Sequence, residues 1–376
     1  MKAKSIKGSS PEEIKTALEQ SIADEFKPTL AIVFLSVKQD REAICGILNE
    51  YEITIYGATS NGEFIDQERG EGTVAILLLD INPAYFFIQF ADLDGADDRN
   101  ITRGLCEKAI KKFNHPAFLI AGSSLQTDAE ELLTGFTDVA GKEINVFGCM
   151  AGDDMSLKEQ FVFTNGQSSN RGVVVLVLDE DKIIIKGKAT HGWNAMGTDK
   201  TVTKSEGTRV YTIDDKPALD VCLKYSGLTE ATLNLSFELI TNFPLQLQRE
   251  NGDPVMRPSY LINWEDHSLT TSGRVPQGSK VRFSLPPDFD VIEKVINECK
   301  KLKETEMPEA DALIFFNCAG RLLSLGPMIN MEIEGVQKVW NVPMVGMFSN
   351  AELGRATGGN LEMHNLTTCV VALKEK

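Results

Sequence analysis

The sequence lacks most of the features that assign a protein quickly. No apolar run approaches the ~18 residues that a membrane-spanning helix needs. The opening MKAKSIKGSSPEE carries lysines but no apolar stretch, so it does not read as a secretory signal. The seven cysteines are scattered, odd in number and never spaced as CxxC, which disfavours a disulfide scaffold or a zinc site. The four histidines include no HxxxH pair. GxGxxG, Walker, HExxH, GxSxG and kinase signatures are all missing, which counts against the familiar dehydrogenases, hydrolases and kinases. Basic clusters are missing too. With a net charge of −16 and a pI near 4.8, the chain repels nucleic-acid phosphates and anionic lipid. The expectation is a cytoplasmic protein with no nucleic-acid partner, no membrane insertion and, lacking a catalytic motif, no enzymatic activity. What remains is an ordinary globular composition. The chain has 376 residues, 42% apolar and 24% charged, enough for two domains with real cores.

Three short apolar segments, TLAIVFLS (29–36), PAFLIAGS (116–123) and DALIFFNC (311–318), suit strands buried on both faces. A helical pattern precedes each one: SSPEEIKTALEQSIADEF, DDRNITRGLCEKAIKKF and PPDFDVIEKVINECKKLKE. Another follows each: DREAICGILNEY, TDAEELLTGFTDVAG and MEIEGVQKVW. Then comes a shared turn. TIYGATSNGEF, NVFGCMAGDDM and PMVGMFSNAEL carry Gly57, Gly148 and Gly346, each with an acid six residues later: Glu63, Asp154 and Glu352. Ser60-Asn61 and Ser349-Asn350 stand at matching offsets. A last apolar strand closes each unit: GTVAILLLD, RGVVVLVLD and TTCVVALKE. The pattern predicts an α/β fold of mixed sheets flanked by helices, built from three diverged units. Between Asn234 and Pro286, LNLSFELITNFPLQLQ and its successors read as short strands, a β-rich insertion before the third unit. The expected modules are residues 1–228 and 229–376.

Ligands of α/β sheets bind beyond the carboxyl ends of strands. That makes Asn61, Glu63, Asp154, Asn350 and Glu352 candidate polar contacts, although Ser, Asn and an acid also stabilise a plain turn. Arg321, after a buried-type strand, is a candidate carboxylate clamp or a salt-bridge partner of Glu332 or Glu352. Arg257 is a similar candidate on the insertion. His191 and Trp193, in THGWNAMG, are candidates for the rim of a pocket, and His364 for orienting a loop. Cys149 and Cys318 end apolar strands, where either a nucleophile or an inert buried thiol can sit.

Taken in order, these segments resemble the FIST family, named for F-box and intracellular signal transduction proteins. YGATSNGEF, FGCMAGDD, RGVVVLVL and THGWNAMG look like its N-terminal module. VMRPSY, GRVPQGSKVRF, NCAGRLLSLG, VPMVGMFSNAELG and HNLTTCVVAL look like its C-terminal module. The resemblance spans residues 28–373. It implies an intracellular sensor that binds a small ligand, such as an amino acid or related metabolite, and signals to a separate partner such as a histidine kinase. No cofactor is expected. Some relatives resemble haem-dependent nitric-oxide sensors, so a haem sensor is the alternative reading, and a hydrolase or lyase using Cys149 or a carboxylate is another. Ala351 departs from the glycine common at its place and leaves the role of the third acid open.

Overall fold

The computed structural model describes residues 1–95 and 97–376. The first unit comprises β1 (Lys2–Gly8), α1 (Pro11–Ile22), β2 (Leu30–Leu35), α2 (Arg41–Glu50), β3 (Thr54–Thr59), the hairpin β4 (Glu63–Ile65) and β5 (Glu68–Gly70), and β6 (Val74–Asp80). The second repeats this order. It comprises β7 (Phe86–Asp92), α3 (Asp98–Lys112), β8 (Pro116–Gly122), α4 (Ala129–Ala140), β9 (Val146–Met150), β10 (Val162–Phe163), β11 (Ser168–Ser169) and β12 (Gly172–Asp179). The third opens with β13 (Ile183–Thr190) and is then interrupted by the insertion. That insert holds β14 (Ala195–Glu206), β15 (Arg209–Ile213), β16 (Lys216–Pro217), α5 (Ala218–Ser226), α6 (Leu235–Thr241), β17 (Leu245–Leu247), β18 (Val255–Arg257), β19 (Ser259–Asn263), β20 (Ser268–Thr271) and β21 (Lys280–Ser284). The unit resumes with α7 (Phe289–Thr305), β22 (Ala312–Cys318), α8 (Ala319–Leu325), α9 (Ile329–Trp340), β23 (Met344–Ser349), β24 (Ala351–Arg355), β25 (Leu361–His364) and β26 (Thr368–Glu375).

The architecture is the expected mixed α/β, with sheets flanked by helices. In each unit the two buried strands run parallel (β2–β3, β8–β9, β22–β23), and the closing strand returns antiparallel beside the first. Side-chain alternation then buries both faces of every sheet. Ile32, Phe34, Leu119, Ala121, Ile314 and Phe316 point into one core shared by all three sheets. Their neighbours Val33, Ile120 and Phe315 face the covering helices α1–α2, α3–α4 and α7–α9. Burial on two faces is why these strands read as unbroken apolar runs.

Pairing beyond the glycine strand is not within a unit. The hairpin β4–β5 of the first unit extends the third sheet, in the order β13-β26-β22-β23-β4-β5. The third unit's β24–β25 extends the second sheet, and the second unit's β10–β11 extends the first. The three units therefore exchange hairpins in a closed cycle.

The exchange explains the glycines. Gly57 lies opposite Phe163, Gly346 opposite Phe64 and Gly148 opposite Leu353, each a bulky residue on the incoming strand. A Cβ on Gly57 would overlap the Phe163 ring, and one on Gly346 the Phe64 ring. A missing side chain at these positions makes room for a neighbour's anchor.

The insertion differs from expectation in two respects. LNLSFELITNFPLQLQ is not all strand: it forms α6 before β17, because Leu235 and Leu239 fall one turn apart on a single buried face. The inserted sheet, ordered β18-β17-β21-β14-β15-β20-β19, also begins earlier, at Ala195. The insert therefore lies inside the third unit, and position 228 falls between α5 and α6.

Candidate functional site

The three strand-end turns are tied to one another through the backbone. The N–H of Asn61 donates to Phe348 O (2.8 Å), that of Asn350 to Met150 O (3.0 Å), and that of Gly152 to Thr59 O (2.8 Å). Each bond joins a unit to the sheet that receives its hairpin.

The two turn glutamates serve these turns. Glu63 is fully buried and accepts from the Ser60 hydroxyl, from Thr73 N–H (3.1 Å) and from the Thr73 hydroxyl (2.8 Å). Burial pushes its carboxyl up to about 7, against the pull of these donors. Glu352 is its counterpart: one oxygen accepts from the Ser349 hydroxyl (2.8 Å), while Oε2 has no hydrogen-bond partner. Burial raises this carboxyl well above the usual range, and the Cys318 thiol beside it is pushed up to about 12 by burial and by Glu352.

Asp154 is not the third member of this set. It sits in left-handed backbone (φ 55°) within the loop between β9 and β10, accepting from the Ser36 hydroxyl (2.7 Å) and pairing with Lys38 (3.1 Å). The residue that precedes the anchoring Phe163 is Val162, because the second unit carries a longer loop before its hairpin. The acid that organises that loop is Asp153, which accepts from the N–H groups of Leu157, Lys158 and Glu159 at 3.0, 2.6 and 3.0 Å.

Asn61 and Asn350 come together. Asn61 Oδ1 accepts from the N–H groups of Asp153 (3.0 Å) and Met155 (2.8 Å), and its Nδ2 donates to Asn350 Oδ1 (2.9 Å). Asn350 borders a cleft of about 370 Å³ beyond the carboxyl ends of β22 and β23. Leu125, Leu157, Ile240, Pro258, Tyr260 and Leu366 form its apolar walls. Ser272, Cys318, Asn350 and Asn365 are the polar side chains of its lining. Two of them carry buried atoms without a partner: Nδ2 of Asn350 and Oδ1 of Asn365, the latter residue only 3% exposed. At the mouth, Leu125 and Leu157 are 58% and 61% exposed. Their loops hold four non-glycine residues in left-handed backbone, Ser124, Asp154, Met155 and Leu157. Such strain costs about 1 kcal/mol or more per residue and clusters at ligand sites.

The remaining candidates lie elsewhere. Arg321 is fully buried and is consumed by Glu332, with Nε 2.9 Å from Oε1, and by the carbonyls of His191, Val291 and Leu366. Its guanidinium stacks over the Trp193 ring at 5.1 Å. It clamps Glu332 and not a ligand carboxylate. Arg257 is likewise internal, bonded to Glu130 (2.8 Å) and to the carbonyls of Met256, Met363 and Arg274.

His191 and Trp193 border a second cleft whose walls include Asp253, Glu298, Lys294 and Arg282. Two acidic and two basic side chains thus share this lining. His191 Nδ1 accepts from Trp193 N–H (2.9 Å), and burial, reinforced by Arg321, lowers its ring to about 3. His364 is enclosed, with Nε2 3.2 Å from Gly354 O. Cys149 lies in the central core against Met347 Sδ (3.6 Å).

Asn365, Tyr260 and the leucine lips are the residues that reading the sequence missed. Asn365 sits in the loop before the closing strand, so aligning the three units on that loop is the signal that would have drawn attention to it.

Two family models match the chain. The FIST N domain matches residues 29–216 and the FIST C domain residues 218–355. The chain belongs to the FIST family, whose domains are generally sensor domains of signal transduction. An uncharacterized protein of Methanocaldococcus jannaschii is 28% identical over 221 residues, which is 54% of this chain and 41% of that relative. Among the described residues, no helix is long and apolar enough to cross a membrane.

Proposed function

We propose that this protein is a cytoplasmic small-molecule sensor whose ligand occupies the cleft beyond β22 and β23. The observation that carries the reading is the pair of buried, unpartnered amide atoms on Asn350 and Asn365 beneath exposed leucine lips. An unmet buried polar group costs about 1–3 kcal/mol, which a ligand recovers by supplying the missing hydrogen bond. Covering Leu125 or Leu157, each about three-fifths exposed, adds about 1–2 kcal/mol when its burial becomes complete. Both terms favour a state in which the Leu125 and Leu157 loops close over the ligand, and so shift the population of two conformers. The cleft draws on the second unit, the third unit and the insert, so closure changes their mutual arrangement. A separate signalling protein, such as a histidine kinase, reads that change. Seven free, buried cysteines support the cytoplasmic assignment. The role is binding and not turnover.

A thermal-shift screen of metabolites against the wild type and Leu157→Asp tests this. A ligand at 100 times its Kd adds about 2.7 kcal/mol of stability to the wild type. The shift is expected to disappear in Leu157→Asp. A shift that survives this variant puts the ligand elsewhere and refutes the assignment of the cleft.

A further inference from the structure

The lining of the cleft restricts what it accepts. None of the side chains that border it is charged. The nearest candidates are withheld. Arg321 is committed to Glu332 and Arg257 to Glu130. Glu352 lies fully buried beside the Cys318 thiol, with burial pushing its carboxyl well above the usual range. Lys38 and Asp154 pair with each other on the far side of Asn61, in a separate depression. A free amino acid brings a carboxylate and an ammonium, and each loses hydration worth several kcal/mol if no countercharge meets it. The second cleft, by contrast, is charged, with Asp253, Glu298, Lys294 and Arg282.

The unpartnered atoms are of opposite kinds. Asn350 Nδ2 is a donor whose own oxygen is already occupied by Asn61, which fixes the orientation of that amide. Asn365 Oδ1 is an acceptor. A ligand that meets both offers one acceptor and one donor on an uncharged group. The remaining walls are aliphatic, apart from the Tyr260 ring.

We infer that the ligand is a neutral molecule with an apolar body and a carboxamide or lactam edge, and not a free amino acid or other ion. This inference rests on the cleft being the ligand site. Its acceptor oxygen takes the hydrogen bond of Asn350 Nδ2, and its N–H donates to Asn365 Oδ1. The apolar body lies against Leu125, Leu157 and Ile240.

The test uses matched compounds on the full chain. Isobutyl, cyclohexylmethyl and phenylpropyl bodies are each prepared as carboxamide, methyl ester, carboxylate and α-amino acid. Binding is followed through the methyl NMR signals of Leu125, Leu157 and Ile240. The carboxamides are expected to move these signals and to bind about tenfold more tightly than the esters, which lack the donor for Asn365. That advantage is expected to vanish in Asn365→Leu or, should that variant not fold, in Asn365→Ala, neither of which offers a side-chain acceptor. Carboxylates or amino acids that move the same signals more strongly than the amides overturn the inference while leaving the cleft as the site. If no compound of any class moves these signals, the cleft reading itself fails and the inference with it.

Discussion

The hairpin exchange makes a quantitative prediction at Phe64 and Gly346. Phe64 belongs to the first unit, yet it is fully buried in the third. Its ring lies edge-on to Phe315 (centroids 5.2 Å apart, 89°) and tilted against Phe348 (5.5 Å, 54°). The ring fits because Gly346 opposite it has no side chain. Phe64→Ala removes a buried aromatic and leaves a cavity, a change that costs about 3–5 kcal/mol. Gly346→Ala pushes a methyl group into the ring and towards Phe315 O, overpacking that costs about 1–3 kcal/mol. The two costs are not independent. In the Phe64→Ala background the space the methyl group needs has been vacated, and only the contact with the Phe315 carbonyl remains. The double variant is therefore expected to be more stable than the sum of the singles predicts, by about 1 kcal/mol or more. Denaturant unfolding of the four proteins measures the cycle. Additivity within about 0.5 kcal/mol would show that glycine and ring do not share this space, and the account of the repeated glycine would fall.

Further outcomes follow from the buried charges. The Glu63 carboxyl titrates at about 7 in the folded protein against an ordinary 4.5, so the folded state holds its proton longer. Its contribution to stability is present in full below about pH 4.5 and is lost as the pH rises through 7, a difference of about 3 kcal/mol. Glu63→Gln should flatten that part of the stability profile, and an unchanged slope between pH 4.5 and 7 would place the titration elsewhere. Arg321→Met strands the fully buried Glu332 and is expected to cost about 3–5 kcal/mol, whereas pairing it with Glu332→Leu should recover part of the loss. Unfolding midpoints of the single and double variants decide this, and equal losses would contradict the ion-pair account.

The sequence exposed what depends on continuous burial. The strands β2, β8 and β22 are apolar at every position because the central core takes one face and a helix pair the other. The opening strands β1, β7 and β13 escaped notice. They pair on one side only, and their mixed burial leaves residues such as Lys2, Lys4, Lys186 and Lys188 among the apolar ones. The exchange was not legible either, since hairpins of two to five residues per strand carry little periodicity and pair with strands remote in the chain. Counting residues from the glycine found Glu63 and Glu352 correctly as a pair but added Asp154. An offset cannot register the longer loop that moves the returning strand to Val162. Arg321 stood open between a ligand clamp and a salt bridge to Glu332 or Glu352, because charge alone does not reveal that an ion pair is complete, and the structure pairs it with Glu332.

The exchange also ties the cleft to the rest of the fold. Asn350 heads the hairpin that the third unit lends to the second sheet, and Asn61 heads the one that the first lends to the third. Their side chains are bonded at 2.9 Å, and each backbone N–H is anchored on the neighbouring sheet. A ligand that draws on Asn350 Nδ2 therefore acts on an amide already held by another unit. Asn61 does not border the cleft, and Asn61→Asp keeps an oxygen for the N–H groups of Asp153 and Met155 while removing the donor that holds Asn350. One hydrogen bond is worth about 0.5–1.5 kcal/mol, so affinity for the tightest carboxamide of the matched sets should weaken about 2- to 12-fold. Calorimetric titration of the variant reads this directly. An unchanged affinity would mean that Asn350 is set by its own turn alone, and that the cleft communicates with the first unit by some other path.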